Sequence, residues 1–152
     1  MLSSPAPVDE MPSLNHSYLC TQILRQLLQN PDCLALIELT LDIDWGLTPD
    51  ISVYPSTALQ PDFLEDVTRV SQMPLLAIEV ISANQNIQDL LHKAKRLVAA
   101  GVKTVWVLEP YGRTVFVTTT DHPPSIAQDL RLETHGITID FAALFQSDRP
   151  DH

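Results

Sequence analysis

The sequence predicts an α/β or α+β domain in which helices pack on a mixed sheet. Three observations carry this. The run PLLAIEVIS, Pro74 to Ser82, is apolar on both alternating faces, as in a strand covered on both sides. A helix-period stripe follows it and leads into a further strand, an order that requires a crossover. Thr104 to Leu108 and Thr114 to Thr119 then flank Pro110-Tyr111-Gly112-Arg113, giving a β-hairpin after the second main helix.

In chain order, residues 1–12 are Pro- and Ser-rich and read as a loose tail, 13–146 as one domain, and 147–152 as a second tail. From Leu14 to Gln29, the residues Leu19, Cys20, Ile23, Leu24, Leu27 and Leu28 recur at helical spacing behind a capping Ser13. His16 lies on the same stripe, one turn before Cys20. Leu36 to Asp44 alternates apolar and polar residues as a half-buried strand does. Trp45-Gly46-Leu47-Thr48 makes a turn, and Pro49 to Tyr54 returns as a second strand. Pro55 to Met73 is a long polar insertion with room for a short helical turn from Pro61 to Val70. The helix from about Asn86 to Ala100 shows the stripe Ile87, Leu90, Leu91, Ala94, Leu97 and Val98, and Gly101 closes it. Asp121 to Ser125 reads as a Pro-rich loop, Leu130 to Leu132 and Ile137 to Ile139 as short strands, and Phe141 to Phe145 as a last apolar turn.

A chain of 152 residues with 45% hydrophobic and 18% charged residues has the profile of one folded domain, not of a disordered segment. The first residues lack a basic start and an apolar run, and no apolar run is long enough to cross a bilayer, so the expected location is the cytoplasm with no membrane partner. The two cysteines, Cys20 and Cys33, are then free thiols. With 19 acidic residues against 9 basic ones, the net charge of −10 repels nucleic acid, so any DNA contact has to be local or carried by metal.

Glu79 sits in the middle of the doubly apolar strand. A carboxylate there needs a cation, a metal or several donors. The ordinary alternative is a strand-end carboxylate bridged by Lys or Arg. Asp50 heads the apolar run ISVY, and if its strand neighbours that of Glu79, the two carboxylates converge. Paired carboxylates repel unless a divalent cation neutralises them, and hard oxygen donors suit magnesium or manganese. Against this, Pro-Asp is a common turn dipeptide and recurs at Pro31, Pro61 and Pro150. On the following helix, Asp89 and Lys93 stand one turn apart, an exposed pair worth roughly 0.3–0.5 kcal/mol. Lys93 and Lys95 border the apolar stripe on opposite sides, and periodicity does not choose between them.

The succession PDISVY, AIEVIS, a helix with D-x-x-x-K ending in Gly101-Val102, then VWVLEP and the G-R-T-V turn resembles a restriction-endonuclease-like family abundant in cyanobacteria, of the PD-(D/E)XK nuclease superfamily. The resemblance runs from about His16 to Phe145 and implies a restriction endonuclease-like fold. It also implies an endonuclease that hydrolyses phosphodiester bonds of DNA with Mg or Mn held by Asp50, Glu79 and the main-chain carbonyl of Val80 or Ile81. Where the superfamily pattern has Lys, this chain has Ile81. The chain resembles branches in which that Lys has moved to the helix, here Lys93, with Asp89 beside it to position it and His16 of the first helix near the site. The chain also has Leu97, Val105 and Glu109 where the family often carries Tyr, Tyr and Asp. Nucleases of this architecture often act as dimers, which makes the apolar Val105 to Val117 hairpin a candidate homodimer interface. Two other readings stand beside this one. One is a catalytically inactive nuclease-like module that binds a partner, favoured by the net charge; the other is a hydrolase of a small phosphorylated molecule, with the long insertion as a lid.

Overall fold

The computed structural model describes residues 13–146, and the tails expected at 1–12 and 147–152 lie outside the described residues. Helix α1 (Leu14–Leu28) starts where the Ser13 side chain accepts the His16 N–H at 3.2 Å. Strands β1 (Cys33–Ile37), β2 (Ile51–Pro55) and β3 (Leu76–Val80) follow, then α2 (Ile87–Ala99), capped by Asn86 and ended by Gly101 at φ 118°. Strands β4 (Thr104–Glu109), β5 (Thr114–Thr119), β6 (His122–Ile126), β7 (Arg131–Thr134) and β8 (Ile137–Asp140) and a 3-10 turn (Ala142–Phe145) complete the described chain.

Strands β1 to β6 form one sheet in sequence order, and α2 makes the crossover that leaves β3 and β4 parallel while the other neighbours are antiparallel. Side chains alternate between the faces. Ile51, Val53, Ile78, Val80, Trp106 and Leu108 face α1 together with β8 and the 3-10 turn. Ala77, Val105 and Val107 face Leu90, Ala94 and Leu97 of α2. Glu79, two residues from Ala77, therefore lies on the α2 face.

Several expected elements differ. Strand β1 lies earlier than the alternation of Leu36 to Asp44 suggests, because Glu38 at φ 50° turns the chain out of the sheet. The apolar members of that pattern still turn inward, with Leu41 and Ile43 buried against the α2 cluster. No helix forms between Pro61 and Val70. That insertion is instead stitched to the loop before β2: Val70 exchanges main-chain bonds with Thr40 and Asp42, and Arg69 pairs with Asp42 at 2.9 Å. The Pro-rich segment is not a loop but β6, an edge strand, where Pro123 and Pro124 omit donors the sheet does not need. Among the described residues, strands β7 and β8 pair only with each other, through a turn with His135 at φ 51° and Gly136 at φ 78°. The hairpin offered as a dimer interface has Val105, Val107 and Val115 inside the cores, and β6 covers its free edge.

Candidate active site

Strand β2 begins where β3 ends, since Ile51 pairs with Ile78 in antiparallel register. Asp50 is thereby set beside Glu79 and Val80. The ladder gives way here to side chains: the Asp50 N–H donates to Glu79 Oε1 at 2.6 Å, and the Val80 N–H donates to Asp50 Oδ2 at 2.8 Å. An extended residue sends its N–H and C=O to the same side, so the Val80 carbonyl stands on the Asp50 edge.

Glu79 is 2% exposed, and its second oxygen meets Lys93 Nζ at 2.7 Å. The ammonium also donates to the Thr48 carbonyl at 3.0 Å. Of the two lysines that border the α2 stripe, it is therefore Lys93 that leans to the sheet. Asp89, expected to position Lys93, does not: among the described residues it makes no ion pair, and it lies exposed in the first turn of α2. A buried carboxylate is the stronger partner for an ammonium than a solvated one.

His16 arrives from α1 and is buried, with Nε2 at 3.1 Å from Asp50 Oδ2. Cys20, one turn along, places its sulfur 3.8 Å from the same nitrogen. The sequence offers Asp50, Glu79, Lys93 and His16 for one site, and the fold brings all four together. Two participants were not legible as such. The Thr48 carbonyl belongs to a loop whose path depends on the insertion pinned to it, and Cys20 carries only its i+4 spacing from His16 as a signal.

Burial pushes the Glu79 carboxyl up to about 7; Lys93 works against this and the Asp50 charge adds to it. The hydrogen bond to Asp50 raises His16 and outweighs its burial. Burial, then the charges of Asp50 and Glu79, push the Cys20 thiol up. Burial leads the Glu79 and Cys20 shifts and Asp50 leads that of His16, while the charges of Asp50 and Glu79 raise their neighbours in the same direction. Asp50 keeps 23% of its side chain exposed, and among the described residues Oδ1 accepts no protein donor. An accessible carboxylate oxygen, a neighbouring carboxylate that resists ionisation and a main-chain carbonyl on one edge form an oxygen donor set of the kind magnesium and manganese take. The residues fit such an ion.

Residues 7–142 match the sequence model of Uma2, described as "Putative restriction endonuclease". Among solved structures, the chain is similar to a protein of Anabaena variabilis ATCC 29413 described as a "putative nuclease belonging to DUF820". The TM-score is 0.73 at 20% identity, over 89% of this chain and 82% of that one, a likeness of fold. None of the curated proteins matches the chain.

Proposed function

The chain belongs to the Uma2 family, and from that premise we propose that it is a metal-dependent endonuclease that hydrolyses phosphodiester bonds of DNA. The observation that carries the reading is the convergence of Asp50, Glu79 and Lys93, drawn from β2, β3 and α2, with Lys93 Nζ 2.7 Å from the buried carboxylate. Asp50, Glu79 and the Val80 carbonyl would hold Mg or Mn. When bound, that ion supplies positive charge to a phosphate oxygen and lowers the pKa of an attacking water.

The chain's own residues supply the rest. An ammonium has three donors, and Glu79 and Thr48 take two from Lys93, so the third is available to a water or to charge developing on the phosphate. His16 and the Val80 N–H fix Asp50 Oδ2, leaving Oδ1 for the cation. Beside the site, a cleft of about 1080 Å³ runs between Asn15 and Tyr18 of α1, Ile81 after β3, and Tyr111, Arg113 and Phe145. Tyr18 and Tyr111 are exposed at this cleft and are the side chains a base could stack on, while Arg113 lies over the Phe145 ring at 4.9 Å. Arg96 and Arg69 are engaged by Asp44 and Asp42, so the net charge of −10 leaves phosphate attraction largely to the metal. Among the described residues there is one such centre, so cutting both strands of a duplex takes two copies or two successive nicks.

The test is calorimetric titration of Mg and Mn into the wild-type protein and Asp50→Asn, beside cleavage assays on plasmid and single-stranded DNA. Metal binding and cleavage in the wild type, both lost in the variant, are expected. A wild-type protein that binds neither ion at millimolar concentration would instead make Glu79 a structural charge and the chain a partner-binding module.

A further inference from the structure

Cys20 has no part in the hydrolysis above, yet its sulfur stands against it. His16 and Cys20 are four residues apart on α1, which puts both on one helix face, and that face is turned to Asp50. One ligand atom each from His16, Cys20 and Asp50 lie within 4.8 Å of one another. We infer that these three side chains form a second cation site, for zinc, and that zinc held there withholds Asp50 from magnesium.

Two of the three separations are close to those that zinc sets, and the third, from Cys20 to Asp50, has to close from within 4.8 Å. With bonds of about 2.0–2.1 Å to nitrogen and oxygen and about 2.3 Å to sulfur, a tetrahedral ion separates its N and O ligands by about 3.4 Å and its N and S ligands by about 3.6 Å. His16 Nε2 lies 3.1 Å from Asp50 Oδ2 and 3.8 Å from Cys20 Sγ, so small side-chain adjustments admit zinc between them. Ligand chemistry separates the two sites. A thiol and an imidazole suit a borderline-soft cation and are poor ligands for magnesium, whereas Glu79 and the Val80 carbonyl suit magnesium. On binding, the Cys20 S–H bond breaks, the proton leaves to solvent, and the thiolate forms the metal–sulfur bond. Three protein ligands leave a fourth position for water. Asp50 would give Oδ2 to zinc and Oδ1 to magnesium, so two dications would share one carboxylate at close range; their repulsion makes the two ions compete, and zinc acts as an inhibitor through a cysteine that catalysis does not need.

Cobalt(II) is the probe, since a thiolate ligand gives it a charge-transfer absorption in the near ultraviolet. The metal-free wild-type protein is expected to develop that band with one equivalent of cobalt and to lose it on addition of zinc. Cys20→Ser should lack the band and bind zinc at least roughly 10-fold more weakly, with an unchanged circular dichroism spectrum and an unchanged magnesium isotherm, while Cys33→Ser keeps the band. One equivalent of zinc should weaken magnesium binding in the wild type and not in Cys20→Ser. A wild-type protein without the band, a band that survives in Cys20→Ser, or a magnesium isotherm that zinc leaves unmoved would overturn the assignment. The cobalt spectrum needs no substrate, so failure of the nuclease reading leaves this result standing.

Discussion

Glu79 holds Asp50 by its backbone and not by its side chain: Oε1 accepts the Asp50 N–H at 2.6 Å, while the Asp50 carboxylate is turned to Val80 and His16. The two carboxylates therefore differ in what they can lose. Changing the Asp50 side chain leaves Glu79 its donor, whereas truncating Glu79 releases the start of β2.

Glu79→Gln keeps an acceptor for the Asp50 N–H and removes the charge. Cleavage should fall by at least about 100-fold and stabilisation by magnesium should vanish. The metal-free Tm should stay within a few degrees of wild type or rise, because a desolvated charge is gone. Thermal melts with and without 10 mM-range magnesium, on the order of ten times a weak Kd, make the check; undiminished cleavage would remove Glu79 from the site.

Lys93→Met should leave magnesium binding intact while lowering cleavage by about 10²–10³-fold, the size of losing one donor to developing charge. It also deprives a buried carboxylate of its partner. The expected cost is roughly 1–3 kcal/mol, larger at pH 8 than at pH 6, where Glu79 can take up a proton instead. Urea denaturation at the two pH values measures it, and equal costs at both would show that Glu79 does not answer to Lys93.

The metal-free protein should lose stability as the pH rises. Glu79 has an ordinary value of 4.5 and is raised to about 7 in the fold, so the native state holds a proton that the unfolded chain releases. Its contribution is fully present below 4.5 and lost as the pH climbs through 7; His16, also raised, acts in the same direction over the upper part of that window. For Glu79 the effect is on the order of 2–3 kcal/mol, roughly 5–10 °C in Tm. Magnesium, which competes with the same protons, should bind more tightly at pH 8 than at pH 6. A metal-free Tm that rises between pH 5.5 and 8, in a protein whose Glu79→Gln form behaves identically, would contradict the assigned shift.

Away from the site, Trp106 meets Phe141 edge-on with ring centroids 5.8 Å apart and joins β4 to the segment after β8. Trp106→Ala should cost about 3–5 kcal/mol in urea denaturation without changing the magnesium affinity per folded molecule. A loss below about 1 kcal/mol would mean that this part of the core can collapse around the gap.

Elements with one strong periodicity were legible before any coordinates. The α1 and α2 stripes, the β4–β5 hairpin and the doubly covered β3 needed only apolar spacing and caps. What spacing misread were places where burial is not met by regular structure. Leu39 to Ile43 alternates like a strand, yet Glu38 turns it out of the sheet and Leu41 is buried from a loop. In β6 the reverse holds: Pro123 and Pro124 argue against a strand until the segment is known to lie at an edge. For the site, the ordered motifs point to Asp50, Glu79 and Lys93 together. Asp89 was placed beside Lys93 by helical spacing, which knows nothing of a buried carboxylate across the sheet. The Thr48 carbonyl has no sequence signal at all, because a main-chain acceptor is common to every residue.

Gln26 of α1 clamps the main chain of Asp140 from both sides, its Nε2 donating to the carbonyl and its Oε1 accepting the N–H, each at 2.9 Å, across a separation of 114 residues. The helix that delivers His16 is thus seated by a segment the ribosome makes far later. At about 5–20 residues per second, roughly 6–23 seconds pass between the two during translation. Throughout that interval α1 has β1 and then β3 to pack on but lacks the Gln26 clamp. Such a chain would complete the seat of His16 only after most of it has been synthesised.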